Sequence, residues 1–141
     1  MADKIVIKDM VFYGYHGVFE AEREIGQRFE VDVELHLDLS HIGRADDIEL
    51  TINYVDVYTI VKELAEEHQF RLVEGLAEAI ADSLLSAYDL ERVVVRVRKP
   101  YAPIGGVTGG VEVEIERTPD HQARRGELLI EKDGAAVEPT E

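Results

Sequence analysis

The chain holds 141 residues, with thirty acidic side chains against fifteen basic ones, a formal net charge of −15 and no cysteine. Such a surface repels phosphate backbones and anionic lipids, which argues against nucleic-acid and membrane partners, and the missing thiols exclude disulfides, thiolate metal sites and a cysteine nucleophile. No run approaches the ~20 apolar residues that span a bilayer and the N-terminus lacks a signal peptide's apolar core, so one soluble, cytoplasmic domain is expected.

Lys4 to about Tyr13 reads as a first strand. It runs into Phe12-Tyr13-Gly14-Tyr15-His16-Gly17, where two glycines permit tight turns around an aromatic cluster. Val18 to Gln27 is a polar connection closed by Gly26. The second strand is the clearest in the chain. Phe29, Val31, Val33, Leu35, Leu37 and Leu39 alternate with Glu30, Asp32, Glu34, His36 and Asp38, one face apolar and the other wet. Ser40 to Leu50 is a polar loop. Helical spacing follows in Val57, Ile60, Val61, Leu64 and Ala65, with Asn53 and Asp56 resembling a capping box. A second apolar stripe, from Val73 through Leu85, predicts a helix from near Leu72 to near Tyr88.

The third strand is Arg92 to Lys99, stopped by Pro100, which has no backbone donor. Its parity is informative. Val93, Val95, Val97 and Lys99 share one face and Arg96 and Arg98 the other, so a lysine ends the apolar face. Partial desolvation there would lower its pKa and suit it to proton exchange; the ordinary alternative is a lysine that snorkels to water. A glycine-rich turn leads to a last strand alternating Val111, Val113 and Ile115 with glutamates.

The order ββααββ predicts an α+β domain over residues 1–117, an antiparallel four-stranded sheet with two helices on its apolar face. Acids on strands two and four face Arg96 and Arg98, which cross-strand pairing would balance. Two open sheet edges predict edge pairing between subunits into a closed barrel. Residues 118–141 read as a polar, disordered tail in which Leu128, Leu129 and Ile130 form an apolar patch able to dock.

Polar residues gather at element boundaries, where sites collect. Tyr54 starts the first helix and Glu74 lies in the first turn of the second. Their ordinary alternatives are a half-buried tyrosine and a carboxylate that favours the helix dipole. Glu22 is one acid of a solvated loop, and His16 is either a proton carrier or a turn histidine bonded to backbone. Five scattered histidines show no metal spacing, and no phosphate loop precedes a helix.

Together the motifs resemble the dihydroneopterin aldolase family. The resemblance rests on Phe12-Tyr13-Gly14-Tyr15-His16-Gly17-Val18, Glu22, Glu24-Ile25-Gly26-Gln27, Asn53-Tyr54, Val73-Glu74 and Val97-Arg98-Lys99-Pro100-Tyr101-Ala102-Pro103-Ile104, across about residues 4 to 117. It implies a tunnelling fold, a homo-oligomer (tetramer or octamer) with pockets between subunits, and retro-aldol cleavage of 7,8-dihydroneopterin in folate biosynthesis without cofactor, Schiff base or metal. By the same resemblance Lys99 is the acid/base group acting through a bound water, and Tyr54 takes part in proton transfer to the product. Glu74 anchors the pterin, Val73 and Ile52 add backbone contacts, and Glu22 lies near the substrate and the lysine's water. Epimerisation of the dihydroneopterin side chain, or of its triphosphate, and non-catalytic pterin binding are the alternatives. A zinc-dependent cyclohydrolase lacks its cysteine ligands here.

Overall fold

The computed structural model describes residues 3–121. Period-two alternation produces four strands, β1 (Lys4–Gly14), β2 (Gln27–His36), β3 (Arg92–Lys99) and β4 (Val111–Arg117). They pair antiparallel in chain order. Phe29, Val31, Val33 and Leu35 of β2 and Val93, Val95 and Val97 of β3 lose all solvent contact on the shared face. Among the described residues four α-helices are present: α1 (Glu20–Ile25), α2 (Ser40–Ala45), α3 (Tyr54–Glu67) and α4 (Val73–Ala87). α3 packs on β1, and α4 on β3 and β4. Val57, Val61, Leu76, Ile80 and Leu84 carry the helical stripes into the core. Burying each such side chain contributes about 1.5–3 kcal/mol, which is why these two amphipathic segments settle on the sheet.

The loops differ from expectation. The polar connection before β2 contains α1, and the loop after β2 contains α2 and a 3-10 turn at Ile48–Leu50. Neither short helix has a buried residue, so neither shows the apolar stripe that marked the longer ones. β2 ends at His36, although its alternation continues to Leu39. Asn53 does cap α3, its Oδ1 accepting the Val55 N–H at 2.9 Å, but the Asp56 carboxylate returns no bond, so only half of the capping box forms.

One irregularity reorganises β1. Ile7 pairs with Val33 and Met10 with Val31, so one extra residue bulges between them. Asp9 adopts φ 56°, held there because its N–H donates to Asp32 Oδ1 at 2.8 Å and its carboxylate accepts from Arg98 at 3.0 Å. The bulge switches the inward parity. Ile5 and Ile7 face the core before it, Met10 and Phe12 after it, and Val11 and Tyr13 are turned outward.

On the uncovered face the charges pair across the strands, both with the residue directly opposite and diagonally. Arg96 lies opposite Asp32 and Glu114, and Arg98 opposite Glu30 and Glu112. Arg96 bonds Glu34 and, at 2.9 Å, Glu114. Arg98 reaches both oxygens of Asp32 at 2.8 and 2.9 Å and Glu30 at 3.2 Å. At the end of β4 the Arg117 guanidinium grips Glu78 of α4 at 2.5 Å, and beyond it the Thr118 N–H donates to His121 Nδ1 at 3.0 Å. The rest of the expected tail, with Leu128, Leu129 and Ile130, lies outside the described residues.

Candidate active site

Lys99 does not snorkel. It ends β3 on the core face, as parity predicts, and its side chain is only 12% exposed. Its Nζ donates to Glu22 Oε2 at 2.6 Å, and that carboxylate is 9% exposed. Two partly desolvated charges thus neutralise one another at the open end of the sheet. Glu22 sits in the third position of α1, from which Oε1 reaches back to accept the Phe19 N–H at 3.2 Å. Gln27 Nε2 donates to Oε2 at 3.1 Å. Burial alone would raise the Glu22 carboxyl, but the Lys99 ammonium and these N–H donors outweigh it and hold it below its ordinary value. Glu22 of this pair borders a small cleft of ≈ 210 Å³, lined also by Ile25, Gln27, Tyr101 and Pro103.

His16 explains why α1 sits over Lys99. It is fully buried, Nδ1 accepts the Phe70 N–H at 3.0 Å, and Nε2 therefore donates to the Ala65 carbonyl at 2.8 Å. Gly17 N–H adds a bond to the Phe70 carbonyl at 2.9 Å. With both nitrogens committed to main chain, the ring is a tether between the β1–α1 loop and the end of α3. Burial first, then the Lys99 charge, push its pKa below the ordinary value, against the favourable Ala65 carbonyl. Of the two roles open to His16 in the sequence, the geometry selects the backbone-bonded one. Arg23 completes the loop, donating to the carbonyls of Gly17 at 3.0 Å and Val18 at 2.5 Å.

Tyr54 and Glu74 occupy the first turns of α3 and α4. Both are exposed, and neither side chain makes a hydrogen bond or ion pair among the described residues. Ile52 is half-buried against the core, and the Val73 side chain is buried, so only its backbone is available for contact. Leu72, which precedes α4, provides no side-chain acceptor, leaving the N–H groups of Val73 and Glu74 open. A cleft of ≈ 820 Å³ lies beside this helix start, bordered by Phe70, Arg71, Leu72 and Gly75. Within one chain, then, Lys99 and Glu22 are brought together, while Tyr54 and Glu74 remain unpartnered on separate helix ends. Sequence reasoning gave no role to Gln27 or Gly17; the motif containing each was the only signal.

Arg98, a cation of the same motif that a triphosphate substrate would call on beside Lys99, is surrounded by Asp9, Glu30, Asp32 and Glu112. These carboxylates leave it no free charge to offer.

An antiparallel sheet with two helices on one face and an ammonium–carboxylate pair at the strand ends has the architecture of a tunnelling-fold protein. The dihydroneopterin aldolase (FolB) family model matches residues 5–116. The dihydroneopterin aldolase of Bacillus subtilis is 46% identical over 116 residues, covering 82% of this chain and 97% of that protein. That of Methylorubrum extorquens is 40% identical over 118 residues, covering 83% and 91%. Among solved structures, the E. coli dihydroneopterin aldolase in complex with neopterin superposes with a TM-score of 0.76 at 29% identity, over 82% of this chain and 99% of that one. The chain belongs to the dihydroneopterin aldolase family.

Proposed function

We propose that this protein cleaves 7,8-dihydroneopterin by a retro-aldol reaction to 6-hydroxymethyl-7,8-dihydropterin and glycolaldehyde, a step of folate biosynthesis. The observation that carries the reading is the desolvated Lys99–Glu22 pair, 2.6 Å apart at the end of β3, in a chain of this family. The substrate's imine lies one carbon from the bond to be broken. A base removes the proton of the second side-chain hydroxyl, the carbon–carbon bond breaks, and its electrons enter the ring as an enamine. Glycolaldehyde departs with the new carbonyl, and a proton is then delivered to the first side-chain carbon. The ring is its own electron sink, so the protein needs only to hold it and move protons.

Lys99, acting through a water, is the proton carrier, with Glu22 orienting it. Tyr54 takes part in protonating the product. Glu74 anchors the pterin, because a carboxylate accepts two parallel bonds from an exocyclic amine and its neighbouring ring N–H. Its exposed, unpartnered state suits that role, as do the open N–H of Val73 and the backbone at Ile52. The active unit is a homo-oligomer, tetramer or octamer, in which one subunit's Lys99–Glu22 end meets helix starts from another. Unpaired β1 and β4 edges support this, together with the apolar exposure of Tyr13, Phe19, Ile25, Tyr54 and Val55. Residues 1–117 are the catalytic domain and the cytoplasm its compartment. Among the described residues no helix is long and apolar enough to cross a membrane.

Purified protein incubated with 7,8-dihydroneopterin, with products separated, should release the two products in equal amounts. Epimer alone would make it an epimerase, and bound pterin without any product would make it a binding protein. Light scattering at micromolar concentration should find an oligomer; a fully active monomer would refute the shared pocket.

A further inference from the structure

Gln27 opens β2 opposite Gly14, directly after Gly26, whose φ of 78° sets the chain's direction into the strand. Its amide is placed unusually. Nε2 donates to Glu22 Oε2 at 3.1 Å, the same oxygen that takes the Lys99 ammonium at 2.6 Å. A carboxylate only accepts, so this end of the amide must be the NH₂ group. The other end, Oε1, is then buried with no hydrogen-bond partner. Buried polar atoms without partners are rare, and a glutamine retained for folding alone would be expected to satisfy both ends. Here one end is left unsatisfied so that the other can reach Glu22. Arg23, the remaining cation of the loop, is bonded to the carbonyls of Gly17 and Val18, and His16 to main chain. The Phe19 N–H holds Oε1 at 3.2 Å, and the amide is thus the neutral donor on Oε2, the oxygen that meets the lysine.

We propose that Gln27 is a positioning residue for the reaction: its amide N–H locks the Glu22 carboxylate in the rotamer that holds Lys99. The inference rests on the proposed retro-aldol function, since it needs Lys99 to be the proton carrier. Gln27 acts through Glu22 and need not touch the pterin. Removing the donor leaves the carboxylate with only the Phe19 N–H beside the lysine to hold its rotamer, and makes its ionised form less favourable.

The test is steady-state kinetics across pH with Gln27→Met, which keeps length and removes the N–H, alongside Gln27→Glu, which can donate only when protonated. Expected for Gln27→Met is a fall in kcat of about 10- to 100-fold, the range of one hydrogen bond to a charged group. Neopterin affinity should stay within about twofold, and the acid limb of the kcat profile should move toward neutral pH. Gln27→Glu should recover activity as the pH falls and the new carboxyl regains a proton to donate. Unchanged kcat and pH profile in Gln27→Met would overturn the inference. So would a loss of neopterin affinity in step with kcat in both variants, which is the mark of a structural role. Should Gln27→Met not fold, the pH recovery of Gln27→Glu decides alone: its absence overturns the proposal. A parental protein that binds neopterin but releases no glycolaldehyde would instead fail the functional reading itself, and Gln27 would lose the reaction it serves.

Discussion

A Cβ placed on Gly17 would lie 2.4 Å from Glu22 Oε1 and 2.5 Å from its Cδ, so only hydrogen fits at residue 17 while Glu22 holds Lys99. Gly17 also has φ +152°, a region that L side chains rarely adopt. Gly17→Ala should therefore dislodge the carboxylate without touching the core. Turnover is expected to fall at least about tenfold, the effect of losing one charged hydrogen bond, with far-UV circular dichroism unchanged. Parental turnover in a folded Gly17→Ala protein would show that Glu22 is not needed where it stands.

Lys99→Ala should lower kcat by about 10²–10⁴-fold, the usual range for a general acid–base group. Neopterin affinity should change far less, because the ring is held elsewhere. Lys99→Arg should not rescue, since a guanidinium keeps its proton. An intact oligomer of Lys99→Ala with normal turnover would move the proton carrier to Tyr54.

For Glu74 the measurement is pterin binding by titration calorimetry. Glu74→Ala should weaken neopterin by roughly 2–4 kcal/mol, given about 1.5–3 for each bond to a charged group. Glu74→Gln should also bind poorly, because its NH₂ faces a donor. Unchanged affinity in both would reduce Glu74 to a helix-dipole residue.

His16 predicts a pH dependence of stability. Its pKa is lowered by burial and the nearby Lys99 charge, so the folded ring stays neutral where the unfolded one, near 6.5, takes a proton. The unfolded chain then binds more protons, and stability should be full above about pH 6.5 and decline below it. His16→Ala loses both tether bonds and opens a cavity, at a cost of about 2–4 kcal/mol at pH 8. That difference should shrink as pH falls toward 5 in urea titrations; a constant difference would contradict the assignment.

Glu34 works in the opposite direction. Its burial would raise its pKa, but Arg96 and His36 bring it from the ordinary 4.5 to about 2. The stabilisation is present above about pH 4.5 and disappears as pH falls through 2, for an upper figure of about 3 kcal/mol. Glu34→Gln should lose much of this at pH 7, with the gap to the parental protein narrowing in acid. A gap independent of pH would assign the loss to packing.

The strands and long helices were legible because each buries a face, and burial writes a period of 2 or 3.6 into the sequence. Val93, Val95, Val97 and Lys99 fell on the expected side for that reason. α1 and α2 put no apolar face into the core and left no such mark. The Asp9 bulge depends on Asp32 and Arg98, far away in the chain, and local pattern could not reveal it. Glu22 and Lys99 stand 77 positions apart, and only the family motifs suggested their meeting. The tautomer of His16 required knowing that Ala65 and Phe70 present main-chain atoms to it.

That last detail bears on how this sequence can drift. Both partners of the His16 ring belong to the peptide backbone, one a carbonyl and one an N–H. Any residue at position 65, and any but proline at position 70, supplies the same two atoms, provided it packs. The chemical requirement falls wholly on position 16, where one ring must donate at one nitrogen and accept at the other without carrying charge. Substitutions accumulating at 65 and 70 would leave the tether intact, whereas a change at 16 has no compensating change at its partners' side chains.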